Sequence, residues 1–388
     1  IPSKNHSNST HQQRMQAGMT DAPLTLFAIT LPGLEATLSD EARALGFQVT
    51  DVEPGGVTMV GDWSEVWRAN LELRGATRVL VRIGSFMAFH LAQLDKRARK
   101  FPWVDVLRAD VPVRVDVATS RKSKIYHAGA ATERIEAALR EEAGMSIAPD
   151  APVILKVRID DNRVNISVDT SGEPLHKRGH KPAVGKAPMR ETLAAMFLRQ
   201  CGFDGTVPVF DPMCGSGTFV IEAAEMAAGL QPGRSRTFGF ENLTTYDTNA
   251  EALRRTTRLR TLETRFYGAD RDAGVIDMAR ANAERAGVDD LVAFSCANAG
   301  EATPPEGPPG LVIVNPPYGA RIGDKKALYP VYGRLGQVLN DRFSGWRVGV
   351  VTSEPSLAKT MGLPFLPDGP SIAHGGLRVR LYRTDPLP

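Results

Sequence analysis

A short segment near the end of the chain carries groups that could hold an amine for reaction. The apolar run from Val312 to Val314 predicts a buried strand, and the sequence Asn-Pro-Pro-Tyr follows it at 315–318. The side-chain carbonyl of Asn315 and the backbone carbonyl of Pro316 can each accept a hydrogen bond from an exocyclic NH2 group. The proline rings fix the loop, and the tyrosine offers a ring on which a flipped base can stack. We predict four catalytic positions: Asn315, Pro316, Pro317 and Tyr318.

A glycine-containing turn upstream predicts the cofactor. A strand ends at Asp211, a helix begins near Thr218, and the glycines between them let the backbone approach a ligand closely. The spacing D-x-x-x-G-x-G matches neither the dinucleotide pattern G-x-G-x-x-G nor a phosphate-binding G-K-[ST] loop. A smaller ligand with an amino-acid part, S-adenosylmethionine, fits better, and its sulfonium methyl would be the group transferred. The residues predicted to contact it here are Asp211, Pro212, Met213, Cys214, Gly215, Ser216 and Gly217.

Polar residues also follow the next two predicted strands. In "GADRD", the carboxylate of Asp270 can accept hydrogen bonds from both ribose hydroxyls, whereas Asp272 can instead cap the following helix. In "SCANAG", Asn298 occupies the position where a polar group would contact adenine. We therefore add three residues to the predicted cofactor site: Asp270, Arg271 and Asn298.

Cysteine, histidine and charge usage limit the other kinds of site. The three cysteines and seven histidines show no metal-ligand spacing, so no metal is expected. Nothing adjacent would activate Cys214 as a nucleophile, and we interpret it as a packing residue. Unpaired cysteines suit a reducing cytoplasm, and no 18-residue apolar run predicts a membrane span. Because the net charge is only +3, any nucleic-acid surface must be local.

The order of predicted elements divides the chain into four parts. Residues 1–20 are polar, lack the apolar segment of a signal peptide, and resemble an expression remnant or tail. Residues 21–88 predict strand, helix, strand, strand, helix, strand, which is a ferredoxin-like α+β unit. A second α+β unit follows at 89–172. From 173 to 388, strands alternate with helices, which predicts a doubly wound, mostly parallel sheet.

Two basic stretches lie outside the predicted catalytic sheet. Residues 96–124 contain nine Lys or Arg and three Asp, and residues 177–190 contain five Lys or Arg and no acid. The second stretch is rich in Gly and Pro, which predicts a connecting loop. Such clusters predict contacts to an RNA backbone. The predicted RNA contacts are Lys122, Lys124, His127, Lys177, Arg178 and Lys181.

These segments resemble a known family. "NPPYG" resembles a motif of class I amino-methyltransferases, and "TSGEPLHKRGH…APMRETLAA" followed by "DPMCGSGTFVIEAA" resembles the THUMP-domain RNA guanine-N2 methyltransferases. The greatest likeness is to the N-terminal half of bifunctional bacterial enzymes that modify 23S rRNA, and it extends from about Leu24 to the C-terminus. The resemblance implies ferredoxin-like and THUMP domains before a Rossmann-like methyltransferase. It also implies a ribose contact for Asp270. Many relatives have Asp where this chain has Asn298.

Three functions remain open at this point. The first is guanine-N2 methylation of 23S rRNA, the second is the same reaction on tRNA, and the third is RNA binding without catalysis. The basic N-terminal half disfavours a methyltransferase that acts on DNA or on protein glutamine. A cytoplasmic monomer is expected. RNA shape, which decides the exact nucleotide, is not readable from the sequence.

Overall fold

The structure is a computed structural model that describes residues 23–180, 189–255, 257–259, 262, 265–318 and 325–388. It contains two seven-stranded sheets. No helix within these ranges is both long enough and apolar enough to cross a membrane.

The first part of the chain forms the predicted strand, helix, strand, strand, helix, strand order. Alternate residues of its first strand are buried, as the sequence pattern requires for a strand with one face on a core. The elements are β1 (Leu24–Ile29), α1 (Glu35–Ala44), β2 (Gln48–Glu53), β3 (Gly56–Gly61), α2 (Trp63–Glu72) and β4 (Arg78–Met87).

The next unit continues the same sheet. Its elements are α3 (Leu91–Arg99), β5 (Val113–Thr119), α4 (Ala128–Ala143), β6 (Val153–Asp160) and β7 (Arg163–Asp169). Strand β4 pairs antiparallel with β7, which gives the strand order β2-β3-β1-β4-β7-β6-β5. The two predicted α+β units therefore share one continuous sheet.

The remaining elements build the second sheet and the helices around it. They are α5 (Glu191–Gln200), β8 (Val209–Asp211), α6 (Thr218–Ala228), α7 (Thr248–Ala252), β9 (Phe266–Asp270), α8 (Ala273–Ala286), β10 (Val292–Cys296), β11 (Leu311–Val314), α9 (Leu328–Arg342), β12 (Arg347–Thr352), α10 (Pro355–Thr360), β13 (Ile372–His374) and β14 (Leu377–Arg383).

This sheet is doubly wound and mostly parallel, as the sequence predicts. Its strand order is β10-β9-β8-β11-β12-β14-β13, with the first five strands parallel and β14 antiparallel to both neighbours. The chain proceeds from β8 to β9 and β10 on one side and then crosses to β11 on the other. In sheets of this kind, ligands bind where the strand order reverses, which here is at the carboxyl ends of β8 and β11. All four residues of β11 are buried, which explains their uninterrupted apolar run.

Candidate active site

The predicted cofactor and catalytic residues meet at one edge of the second sheet. Asp211 ends β8, Asp270 ends β9, and Val314, which ends β11, precedes Asn315 directly. Because β8, β9 and β11 run parallel, their carboxyl ends lie on the same side.

The two glycines of the turn have different local environments. Gly215 has φ +52°, and a Cβ built there would have no atom within 4 Å. Gly217 has φ +86°, and its Cβ would lie 3.1–3.2 Å from Phe294, Ala279 and Ile221. Gly217 is therefore required by close packing at the start of α6, whereas Gly215 faces open space that a ligand can use.

Asp270 fastens the turn to the tip of β9. Its Oδ2 accepts a hydrogen bond from the Gly215 N–H at 3.1 Å, and its Oδ1 accepts one from the Asp272 N–H at 3.1 Å. Each carboxylate oxygen can accept a further bond, so the predicted ribose contact stays open to test. Asp272 caps α8 by accepting from the N–H groups of Gly274 and Val275, as the sequence suggested. Arg271 is exposed between the two aspartates.

Asp211 is a buried acid with few polar contacts. Asp211 is only 2% exposed, and its Oδ1 accepts a hydrogen bond from the Met213 N–H at 3.0 Å. Burial raises the pKa of Asp211 from 3.8 to about 8, and the nearby carboxylate of Asp270 contributes to the rise. The Asp211 carboxyl group is thus largely protonated near neutral pH. A cation bound beside it would lower its pKa and favour the carboxylate. The amino group of S-adenosylmethionine is a cation of this kind.

Cys214 has the environment of a packing residue. It is buried, and a Cβ built on Gly268 would lie 3.0 Å from its sulfur. Burial and the two neighbouring aspartates raise the pKa of the Cys214 thiol well above its ordinary range. A thiol that stays protonated is a poor nucleophile.

Asn282 supports the turn and was not anticipated from the sequence. Its fully buried side chain donates from Nδ2 to the backbone carbonyl of Ser216 at 3.1 Å, and Arg285 donates to its Oδ1 at 2.5 Å. Arg285 also donates to the backbone carbonyl of His180 at 3.1 Å, which connects the turn with the segment before the second sheet. A lone Asn within the helical pattern of α8 carries no sequence signal for this role.

Asn298 caps a short helix beyond β10. It is exposed, and its Oδ1 accepts a hydrogen bond from the Gly300 N–H at 2.9 Å. The side-chain carbonyl therefore already has one local partner, and the predicted adenine contact stays a prediction.

Asn315 carries a buried acceptor that lacks a partner. Its Oδ1 is shielded from solvent and accepts no hydrogen bond within the described residues. A buried, unsatisfied side-chain carbonyl costs about 1–3 kcal/mol. A hydrogen-bond donor on a bound ligand would remove this cost, which is consistent with a ligand-binding role for Asn315. Pro316 is buried, and Pro317 and Tyr318 are half-buried.

Tyr332 braces the loop that carries Asn315. This residue of α9 is fully buried, and its hydroxyl lies 3.2 Å from the Pro317 carbonyl and 3.2 Å from Thr352 Oγ1. A phenol has one hydrogen and a carbonyl only accepts, so Tyr332 donates to Pro317 and accepts from Thr352. Burial raises the pKa of the Tyr332 hydroxyl, which keeps the donor proton in place. Sequence reasoning missed both Tyr332 and Thr352.

The predicted RNA contacts divide into exposed and buried side chains. Lys122, Lys124 and His127 are exposed in the segment between β5 and α4. Lys177 is exposed and pairs with Glu173. Lys181 lies outside the described residues.

Arg178, predicted to contact RNA, is buried in this structure and not at the surface. Arg178 is 2% exposed, and its Nε pairs with Glu222 of α6 at 3.0 Å. It also donates to the carbonyls of Leu175 and Arg74 at 2.9 and 3.0 Å. The sequence contained a signal for this role, because "TFVIEAAEMAA" places two acids in an otherwise apolar helix, and buried acids need cationic partners.

Comparison with protein families gives two matches along the chain. Residues 178–364 match the family described as RMKL-like, methyltransferase domain. Residues 25–80 match the RlmL ferredoxin-like domain.

Two curated relatives match most of the chain. A Synechocystis sp. protein, provisionally named an RNA methyltransferase, is 31% identical over 92% of this chain and 96% of its own length. The ribosomal RNA large subunit methyltransferase K/L of Psychromonas ingrahamii is 33% identical over 88% of this chain. The match covers 47% of that relative, so this chain spans about half its length.

Solved structures share the whole architecture. A possible methylase from Clostridium difficile superposes with a TM-score of 0.83 at 29% identity, over 95% of this chain and 99% of that one. A protein provisionally named a methyltransferase, crystallised with S-adenosylhomocysteine, gives 0.82 at 26% identity, over 95% and 100% of the chains.

Proposed function

Because the chain belongs to the RMKL-like methyltransferase family, we propose that it methylates the exocyclic N2 amine of a guanine in 23S rRNA. Its cofactor is S-adenosylmethionine, in keeping with its fold and with the S-adenosylhomocysteine bound to a structural relative. The ribosomal substrate is supported by the name of the Psychromonas relative. Guanine N2 is supported by the resemblance of the motifs to RNA guanine-N2 methyltransferases.

The residues at the sheet edge fit the cofactor. Gly215 leaves open space beside the turn, and the Asp270 oxygens retain acceptor capacity for ribose hydroxyls. Asp211 provides a buried carboxyl group that a cationic ligand would ionise. When bound, S-adenosylmethionine supplies an electrophilic methyl group on a sulfonium.

The unsatisfied carbonyl of Asn315 carries the catalytic proposal. It accepts one N–H of the target amine, and the Pro316 carbonyl accepts the other, so the nitrogen lone pair is directed away from the base plane. Tyr318 stacks on the flipped base. The gain is proximity and orientation, because neither carbonyl is basic enough to remove a proton.

The first half of the chain supplies RNA affinity in this proposal. Residues 89–172 form the THUMP domain, and exposed Lys122, Lys124 and His127 contact backbone phosphates. These contacts position the RNA, whereas the pocket beside Tyr318 selects the base.

Nucleoside mass spectrometry of transcribed substrates tests this function. Unmodified 23S rRNA and tRNA transcripts would be incubated with S-adenosylmethionine and the wild-type protein, Asn315→Ala or Asn340→Ala. Asn340 is an exposed residue of α9 and serves as the matched control. We expect N2-methylguanosine in 23S rRNA with the wild type and the control. Loss of an oriented polar group should slow Asn315→Ala by about 10²–10³.

Other outcomes would each correct a different part of the proposal. N2-methylguanosine found only in tRNA would show that the substrate is tRNA and not 23S rRNA. A different methylated nucleoside would show that the target is not the N2 amine of guanine. Wild-type turnover by Asn315→Ala would remove Asn315 from the mechanism. Binding of RNA without methyl transfer would identify an inactive RNA-binding protein.

A further inference from the structure

Two exposed aromatic rings lie at one end of the first sheet. Among the described residues, the strongly exposed large hydrophobic side chains include only two aromatic ones, Phe89 at 41% and Tyr126 at 67%. Phe89 follows β4 and Tyr126 follows β5. Both strands end at the same end of the sheet, next to the turn between β6 and β7. Met87, the last residue of β4, pairs with Arg163 of β7, and Thr119, the last residue of β5, pairs with Ile159 of β6.

The backbone that carries both rings is fixed by the turn between β6 and β7. The Asn162 carbonyl accepts a hydrogen bond from the Ala88 N–H at 2.9 Å, and its Oδ1 accepts one from the Lys124 N–H at 2.9 Å. Thr119 Oγ1 donates to the Tyr126 carbonyl at 3.0 Å. A single turn residue thus anchors the segments that precede both rings.

Polar and charged groups surround the rings. The ammonium of Lys124 lies 5.6 Å from the centre of the Phe89 ring, and the ring of Tyr126 lies 4.4 Å from that of His127. We call Phe89, Lys124, Tyr126 and His127 the aromatic platform. The exposed charged residues at this end of the sheet are Arg121, Lys122, Arg158 and Arg163, together with Asp161 of the turn. Asp160, the half-buried last residue of β6, lies 3.6 Å from Arg158.

These features suit an unpaired nucleic acid better than an apolar protein surface. Every nucleobase has a flat face that can stack on an exposed ring, and such stacking is worth about 1–3 kcal/mol per base. The surrounding cations exceed the acids, as backbone phosphates require. A duplex keeps its bases stacked inside and offers no free faces to the rings.

We infer that the aromatic platform stacks on unpaired nucleobases of the RNA substrate, at a site separate from the catalytic edge. This inference rests on the proposed function, because it takes RNA as the substrate. It adds that the bound RNA carries an unpaired segment as well as the target base. The lysines bind its phosphates, and the rings of Phe89 and Tyr126 bind its bases.

Binding of two labelled probes to the full chain tests the platform. The probes are an unstructured 12-nucleotide RNA and a duplex of the same composition, measured by fluorescence anisotropy over a series of salt concentrations. Phe89→Leu and Tyr126→Leu remove a ring but keep an apolar side chain, whereas Tyr126→Trp keeps a ring. Val52→Ala, on the edge strand farthest from β5, is the control. S-adenosylmethionine binding and thermal melting check that each variant folds.

Ring and phosphate contacts predict different signatures. Each Leu variant should weaken single-strand binding by roughly 5- to 100-fold with an unchanged salt slope, because no phosphate contact is lost. Duplex binding should not change, and Tyr126→Trp should bind the strand like the wild type. Lys122→Ala should instead make the log–log salt slope shallower by about 0.7.

Leu variants that bind the single strand as tightly as the wild type would contradict the inference that the platform rings stack on unpaired bases. So would equal losses on strand and duplex, or a wild type that binds neither probe. These results are independent of methyl transfer. Ring-dependent binding by a protein that methylates no RNA would leave the platform standing and remove the proposed function.

Discussion

At the scale of single residues, the site retains polar groups that burial disfavours. Asn315 keeps an acceptor with no partner among the residues that the structure describes, and Asp211 keeps a buried acid whose pKa is about 8. Both groups cost stability in the unliganded protein, and both would find partners in a bound complex. Sites that bind charged ligands commonly show this conflict between stability and function.

Asn315→Ala should lose turnover without losing stability. Removing a buried acceptor that has no partner relieves its desolvation penalty, so the free energy of unfolding should stay equal or rise by about 1 kcal/mol. Urea unfolding monitored by circular dichroism would measure this, with Asn340→Ala as the control. A destabilisation above about 2 kcal/mol would show that the Asn315 side chain holds the loop together.

The affinity for S-adenosylmethionine should rise with pH up to about 8. The raised pKa of Asp211 means that the free protein holds its proton between pH 4 and 8, and a cationic ligand favours the carboxylate. Binding at pH 7 should therefore release a proton. For folding the sign is opposite: the contribution of protonated Asp211 to stability is fully present below about pH 4 and is lost progressively as the pH rises to about 8.

Calorimetry in buffers of different ionisation enthalpy measures this proton release. Asp211→Asn should abolish it and flatten the pH dependence of affinity. Equal proton release by wild type and Asp211→Asn would assign the titration to another group.

At the scale of elements, α9 and β12 hold the loop that carries Asn315 against the sheet. Tyr332→Phe removes the bond to the Pro317 carbonyl but keeps the ring in the core. A neutral hydrogen bond is worth about 0.5–1.5 kcal/mol, so kcat should fall by roughly 2- to 10-fold. Affinity for S-adenosylmethionine should not change, because Tyr332 acts as a positioning residue on the amine side.

A double-mutant cycle separates positioning from simple destabilisation. If Tyr332 acts through the loop that aims Asn315, Tyr332→Phe should have little further effect on the residual rate of Asn315→Ala. Additive losses in the two variants would show that Tyr332 supports the fold but does not aim the acceptor.

Sequence reasoning predicted helices, strands and turns best where each had its own local signal. The apolar run of β11, the glycine turn before α6 and the Asp272 cap could all be read from neighbouring residues. The pairing of β4 with β7 could not be predicted, because neither strand's sequence contains a local signal for the strand with which it pairs. Tyr332 and Asn282 were missed for the same reason, since each contacts a loop far away in sequence.

At the scale of the whole molecule, a buried ionic cluster joins the first sheet to the catalytic one. Arg74, which lies between α2 and β4, pairs with Glu222 and Glu225 of α6 at 2.9 and 3.3 Å. Arg178 pairs with Glu222 from the segment that links the two sheets. All four side chains are at most 5% exposed. The helix that begins at the glycine turn is therefore anchored to the first half of the chain.

Arg178 and its neighbour Lys177 provide a matched test of this cluster. Arg178→Ala removes one of the two cations that pair with the buried Glu222, and Arg74 still pairs with it at 2.9 Å. Loss of a partner from a buried ion pair costs up to about 3–5 kcal/mol, so Arg178→Ala should unfold at a clearly lower temperature. Lys177→Ala breaks only the exposed pair with Glu173, which is worth at most about 1 kcal/mol. Neither its melting temperature nor its cofactor affinity should change.

The salt dependence of RNA binding separates structural from RNA-contacting roles for the same two residues. Arg178→Ala should leave the log–log salt slope unchanged under conditions where the variant is folded, because its guanidinium is buried against Glu222 and two backbone carbonyls. Lys177→Ala should make the slope shallower by about 0.7–0.9 if its ammonium exchanges Glu173 for a phosphate. A shallower slope for Arg178→Ala at wild-type stability would mean that Arg178 leaves Glu222 to bind RNA, while the pairs of Arg74 with Glu222 and Glu225 still hold α6 to the first half of the chain.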